Sequence, residues 1–358
     1  MSVTDSTWIA LDAKVKVKYG HRLKEEDFRL LAQKQSVPQI AAFLKETDAY
    51  RGVLSDIDPA VIHRGQFESL LRKSAWEEYQ NILRYALSEN TRFLRYMVSQ
   101  KEIEQILLYL SLYNCGKADT YVRSIPSFLA HSLCFDLYEL ASCADYDAFL
   151  RLLSPTPYGS IVRRFPPDET GQVPIPALEN ALFARMYDGL FSDLKRFTTV
   201  QEQSDLLGLF GQKVDLANAS ILFRLRLNFH LSGGEVRKHL LPHGDKLDDK
   251  TLRRLTDCSE EELIPAFRET SYGKLLTEHD PDEFGNLLLY AELDRYRRLL
   301  HADVSPVCTV IAYLELRQAE VASLIHIIEC VRYNVGEEKI LTLLNNVCPS
   351  FYGSRKTK

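Results

Sequence analysis

The alternation of β-branched and polar residues that marks a half-buried strand is almost missing from this 358-residue chain. It is confined to Val15 and Val17 within AKVKVKY. One short segment does not make a sheet, so an all-α protein is predicted. Long hydrophobic runs are missing too. No stretch approaches the ~18 apolar residues of a membrane-spanning helix, and the opening MSVTDSTWIALDAKVKVKYG lacks the apolar core of a secretory signal. The expectation is a chain that stays in the compartment where it is made. Its seven cysteines are odd in number and scattered, without a CxxC pair. That fits reduced thiols better than a disulfide framework or a zinc ribbon. A formal net charge of -5, with pI near 6.0, removes the strongly basic footprint of a nucleic-acid-binding protein.

Catalytic motifs are equally scarce. A phosphate-binding loop ends in Gly-Lys-Ser/Thr, so that backbone amides cradle the phosphates and the hydroxyl takes the magnesium. Here Gly116-Lys117 runs into Ala118, and Gly273-Lys274 into Leu275. His239 and His243 are spaced like two metal ligands, but HLLPH lacks the glutamate of HExxH and Pro242 opposes the helix. They read as surface histidines. His326 and Cys330, in the apolar IHIIECV, read as a core cysteine beside a satisfied histidine. No GxSxG motif or carboxylate pair stands out, so no catalytic residue, cofactor or metal is assigned. Glu260, Glu261 and Glu262, like Glu337 and Glu338, suit the first turns of helices, where acid complements the dipole. Glu77 and Glu78 read as a solvated face.

What the chain does have is an ordinary globular composition, 46% hydrophobic and 26% charged, and repetition. Residues 258–276, CSEEELIPAFRETSYGKLL, form an amphipathic helix closing on Thr270, Tyr272 and Gly273. Residues 31–54 close on Thr47, Tyr50 and Gly52, and residues 144–162 on Thr156, Tyr158 and Gly159. The three tyrosines are 108 and 114 residues apart. A single helix ending in Gly is common, but three at nearly constant spacing argue for an internal repeat. These nine residues are read as structural: Gly ends the helix, Thr satisfies local backbone groups, and Tyr fixes the turn against its own bundle. A second landmark follows each closure. WEEYQNIL, ARMYDGLF and LDRYRRLL align Tyr79, Tyr187 and Tyr296, and 23 to 28 residues later an acid precedes an apolar helix, at Glu102, Asp215 and Glu320.

In chain order, residues 8–32 give two helices with a pause at Tyr19-Gly20, and Pro38 suits the first turn of the next. Residues 67–113 hold no Gly or Pro and read as one long helix or two end to end, broken at Gly116. A loop-like insert spans 165–176. Residues 177–230 are helical, with an interruption near Gly208 and Gly211, and the long helices of the third copy occupy 284–333. A short helix at 337–346 is left over, followed by a partial fourth echo at Tyr352 and Gly353 and a basic tail at 354–358. It is expected to complete a unit begun at the other end of the chain. The units are placed at 1–113, 114–230 and 231–358, with long helices that can be shared or swapped. They suggest three similar helical bundles with pseudo-threefold symmetry. Between residues 220 and 256 eight basic residues outnumber four acids, and Arg224 and Arg226 in that segment are the candidate partner contacts.

The order of these features resembles the C subunit of the archaeal and bacterial V-type ATPases, whose family includes the d subunit of eukaryotic vacuolar ATPases. RETSYGKLL, PTPYGSIV, VDLANASILFRLRL, the LLPHG that follows, and AYLELRQAEVASLIHII carry the resemblance, which runs from about residue 19 to 348. The first copy departs in TDAYRG, and Gln105 stands where the others have Asn218 and Ser323. The resemblance implies a non-catalytic funnel of three bundles at the cytoplasmic face of the membrane. Its partners would be the membrane rotor ring and the central stalk, whose foot it receives, and it would pass torque for ion transport while ATP is hydrolysed elsewhere. Membrane association would be indirect, through the ring. Close-packed bundles suit a part that must twist little. A helical-repeat adaptor or regulatory scaffold unrelated to rotary ATPases is the alternative.

Overall fold

The computed structural model describes residues 3–86, 89–277, 284–302 and 304–344. The fourth echo at Tyr352 and Gly353, and the basic tail, lie outside these residues. The described residues form α-helices with a few 3-10 segments and one π turn, and contain no strand. Four helices open the chain: α1 (Val3–Gly20), α2 (Glu25–Ala32), α3 (Val37–Glu46) and α4 (Arg64–Tyr85). The middle holds α5 (Tyr96–Asn114), α6 (Leu137–Ala141), α7 (Tyr146–Leu153), α8 (Gly159–Val162), α9 (Ile175–Phe197), α10 (Val200–Phe223), α11 (Gly233–Arg237), α12 (Asp249–Asp257) and α13 (Glu260–Arg268). The last are α14 (Lys274–Thr277), α15 (Phe284–Leu299), α16 (Pro306–Arg332) and α17 (Glu337–Leu343).

Two compact units result. Unit 1 joins the two ends of the chain, Met1–Ser88 with Tyr272–Lys358, and unit 2 is Glu89–Ser271. In unit 1 the axis is α16, most of whose residues are buried. Helices α1, α2, α3, α4 and α15 pack on it. Phe28, Ile40, Leu44 and Tyr50 from the start of the chain share one core with Leu324 and Ile328 of α16. Ile340 and Leu344 enter the same core, and Gln33 Nε2 donates to Glu337 Oε1 at 3.0 Å. The short last helix thus completes a bundle begun at the N-terminus. Each such buried Leu or Ile contributes roughly 1.5–3 kcal/mol.

Unit 2 is built on α5 against α9 and α9 against α10. Its aromatic core centres on Tyr109, stacked on Phe149 at 5.3 Å and edge-on to Tyr121 at 5.7 Å. The units cut across the sequence repeat. The long helix α5, counted with residues 1–113, lies in unit 2, and the first closure shares unit 1 with the long helices of the third copy.

Local expectations hold in part. Residues 67–113 form two helices, one of the two arrangements expected, separated by the 3-10 segment Glu89–Arg95. Gly116, at φ 66°, ends the second, with Lys117 N–H bonded to the Leu112 carbonyl at 2.8 Å. The break between α9 and α10 falls at Thr198 and Thr199, not at the glycines, because Thr199 and Glu202 form a reciprocal capping box. Gly211 sits inside α10 for another reason: a Cβ there would come within 2.8 Å of Asp245 Cβ.

At the closures the helix ends before the glycine, at Thr47 in the first and just ahead of Thr156 and Thr270 in the others. Thr47, Thr156 and Thr270 each turn the hydroxyl back to the carbonyl three residues earlier, at 2.7, 2.6 and 2.7 Å. Gly159 instead opens α8, where a Cβ would lie 2.5 Å from the Leu153 carbonyl oxygen. Gly52 meets no such crowding, and Gly273 immediately precedes α14.

Candidate functional site

The sequence pattern puts the acids of the second landmark ahead of their helices; in the structure they lie inside them and are buried. Glu102, Asp215 and Glu320 are 4%, 0% and 8% exposed, on α5, α10 and α16. The residues one turn later, Gln105, Asn218 and Ser323, are buried too. A buried carboxylate is costly unless every lone pair finds a donor, so the donors define the site.

In unit 1, Glu320 accepts from the Tyr50 hydroxyl at 2.8 Å, from Arg317 and from the Leu23 backbone N–H at 3.3 Å. Arg317 also lies 3.3 Å from Glu78, which in turn accepts from the Tyr313 hydroxyl at 2.7 Å and pairs with Lys18. Glu78 is therefore an inward group, not part of a solvated face; only Glu77 is exposed. Burial first, and then the Glu320 carboxylate, hold the Tyr50 hydroxyl well above its ordinary pKa. Desolvation works against charge on Arg317, but Tyr50, Glu320 and Glu78 outweigh it and raise its pKa.

In unit 2, Glu102 accepts from the Tyr158 hydroxyl at 2.6 Å and the Cys134 N–H at 2.7 Å. Ser99 occupies the place of Arg317, three residues before the acid, and hydrogen-bonds Tyr158. Burial, then Glu102, raises the Tyr158 pKa. Gln105 accepts from the Tyr121 hydroxyl at 2.8 Å. Asp215 accepts three backbone N–H groups, those of Asp245, Lys246 and Leu247, at 3.1, 2.6 and 3.2 Å. The glycine of LLPHG makes this possible, since a Cβ on Gly244 would fall 2.3 Å from Asp215 Oδ1. Asn218 pins the same loop by exchanging two hydrogen bonds with the Leu241 backbone.

The closure tyrosines are buried as the sequence suggests, but Tyr50 and Tyr158 do not brace their own bundles. Each crosses to the long helix of a different copy: Tyr50 of the first to Glu320 of the third, and Tyr158 of the second to Glu102 of the first. Tyr272 is buried at 7% exposure, beside the point in the chain where the units divide.

Arg224 and Arg226 part company. Arg226, expected at a partner surface, is 9% exposed. It lies in the π turn Arg224–Asn228 and donates to the Leu231 carbonyl at 2.8 Å and the Cys258 carbonyl at 2.7 Å. It ties the end of α10 to the start of α13. Arg224 is exposed. Of the other basic residues in this segment, Arg237 pairs with Asp257 and Arg254 with Glu269, whereas Lys238, Lys250 and Arg253 are exposed and make no ion pair among the described residues. His243 rests on Phe191 and meets Asp188 at 2.8 Å, and His326 is exposed instead of being satisfied in the core. Among the described residues no group of three His, Cys, Asp or Glu side chains could hold a metal ion.

Buried polar positions at one register on three long helices are a pattern that belongs to the whole chain, and the comparison with known families has the same extent. Residues 11–343 match the family described as the ATP synthase (C/AC39) subunit. The chain belongs to this family. Among its relatives, the C subunit of the A-type ATP synthase of Methanosphaera stadtmanae is 21% identical over 325 residues, covering 87% of this chain and 81% of that one. The corresponding C subunit from Thermococcus kodakarensis is 23% identical over 267 residues, covering 74% and 68%. The chain is thus a C-type subunit of an A/V-type ATP synthase. No described helix of this family member is long and apolar enough to cross a membrane.

The sequence pattern points to the three acids but not to Arg317. Its signal is present all the same: a charged residue one turn before Glu320 on the same helix.

Proposed function

We propose that this chain is the non-catalytic coupling component on the central axis of its rotary complex. It joins the central stalk to the membrane rotor ring at the cytoplasmic face and transmits torque for H+ or Na+ transport. Membership of the C/AC39 family over residues 11–343 carries the reading. The joining of both chain ends in unit 1, through Leu23, Tyr50 and Glu320, supports it. On this reading the repeats close on themselves, and a closed array resists twisting better than an open one. We read the three repeats as exchanging long helices in a cycle, which yields a pseudo-threefold funnel.

Arg224, with Lys250 and Arg253, is the proposed contact to an acidic partner surface, and Arg226 holds the π turn that presents it. Affinity isolation of the tagged chain from membranes tests the function. Head, stalk and ring components should be recovered together, and the chain should strip off as a peripheral protein. Recovery with a non-membrane partner alone would favour a helical-repeat adaptor. Arg224→Glu should weaken assembly, most at low salt where the reversed charge is least screened; unchanged assembly would remove that residue from the interface.

A further inference from the structure

Unit 1 contains an open cavity of about 420 Å³, lined by the end of α1, the loop to α2, the first closure, and α4, α15 and α16. Small-molecule sites typically occupy ~300–1,000 Å³. Leu23, Phe28, Leu293 and Leu316 supply apolar wall, and Glu320 and Arg317 lie at its lining. Four acids line the cavity, and each already has a cation of this chain. Glu25 is 2.7 Å from Arg29, and Asp48 is 3.4 Å from Arg51. Glu78 is held by Lys18 and Arg317, and Glu320 by Arg317.

Two lining cations have no such partner: among the described residues, Arg22 and Lys24 make no ion pair, and both are exposed. Arg22 is nonetheless fixed. Its guanidinium carbon lies 3.8 Å from the Tyr19 ring centre, and Nη1 donates to the Tyr19 carbonyl at 2.9 Å. A cation already held in place gives up less freedom on meeting an anion than a free side chain does.

We propose that this cavity binds a small organic oxyanion, phosphorylated or multiply carboxylated, whose charged group meets Arg22 and Lys24 while its body enters the cavity. Because the lining comes from both ends of the chain, such a ligand stabilises the closure of unit 1.

The full-length chain is titrated calorimetrically with pyrophosphate and, separately, with citrate, against sodium chloride of matched ionic strength. Unfolding is followed by tryptophan fluorescence. Trp8 and Trp76, the two tryptophans, both lie in unit 1. At least one probe should bind with a stoichiometry of one and raise the unit 1 midpoint, and the probe that does so tells phosphate from carboxylate preference. Arg22→Ala/Lys24→Ala should weaken binding about tenfold or more, whereas Lys250→Ala/Arg253→Ala in unit 2 should leave it unchanged. If the first variant loses its native far-UV spectrum, Lys24→Gln alone carries the same test. No binding beyond the salt control overturns the proposal; so does equal binding by the Arg22/Lys24 variants, or a loss confined to the unit 2 variant. An acidic protein segment as the true occupant would appear as the first of these failures.

Discussion

Glu320 in unit 1 and Glu102 in unit 2 occupy the same place in the repeat, yet they are buried by different means. Both accept a closure tyrosine and one backbone N–H. Glu320 has in addition a buried arginine shared with a second carboxylate, whereas Glu102 has Ser99 in that place. The requirement common to both sites is thus a filled set of donors, and the ion pair is an option. A buried ion pair adds little net stability when complete but costs heavily when broken, because the remaining charge stays desolvated.

This contrast predicts an ordered set of effects, with tryptophan fluorescence reporting unit 1 and far-UV circular dichroism reporting both units. Arg317→Met should be the most damaging, by about 3–5 kcal/mol, since it leaves Glu320 and Glu78 buried without their shared cation. An Arg317→Met variant as stable as the parent would erase the difference between the two sites. The paired neutralisations come next. Glu320→Gln should lower the tryptophan midpoint by about 2 kcal/mol, because Arg317 loses one of its two carboxylates, whereas Glu102→Gln should change stability by no more than about 1 kcal/mol. Equal losses would mean that Arg317 contributes nothing specific.

Tyr50→Phe and Tyr158→Phe each remove a donor from a buried carboxylate and should cost about 1–3 kcal/mol. The same hydroxyls set an alkaline limit. Their folded pKa values lie above the ordinary 10.0, so the unfolded chain loses these protons first. The stability they lend is complete below pH 10 and declines as pH rises beyond it. Denaturant titrations at pH 9 and above 10 should show that decline, reduced in the double phenylalanine variant. An effect as small as that of Glu102→Gln belongs to the closure threonines. Thr156→Ala removes one hydroxyl bond to the Leu153 carbonyl and should cost about 0.5–1.5 kcal/mol; a much larger loss would give the threonine a role beyond this bond.

Much of this is legible in the residues. Period and composition announce helices, the Thr/Tyr/Gly closures announce the repeat, and the leftover helix at 337–346 announces a return to the N-terminus. The identity of the buried acids is legible too, but not their burial. An acid flanked by polar neighbours in RQAEVAS looks like a helix surface until something packs over it. Arg226 shows the reverse error, since a basic residue in a basic segment looks exposed until its carbonyl partners are known.

By itself the sequence determined that the chain is helical and that one pattern occurs three times, because periodicity is a local property, and it located some helix ends but not others. Only the tertiary structure decided which closure meets which long helix. Tyr50 and Glu320 are 270 residues apart, and nothing in the local chemistry of either selects the other. The choice is made by packing: a buried carboxylate needs donors beyond the backbone of its own helix, whose N–H groups are already used, and Tyr50 and Leu23 supply them to Glu320 from the other end of the chain.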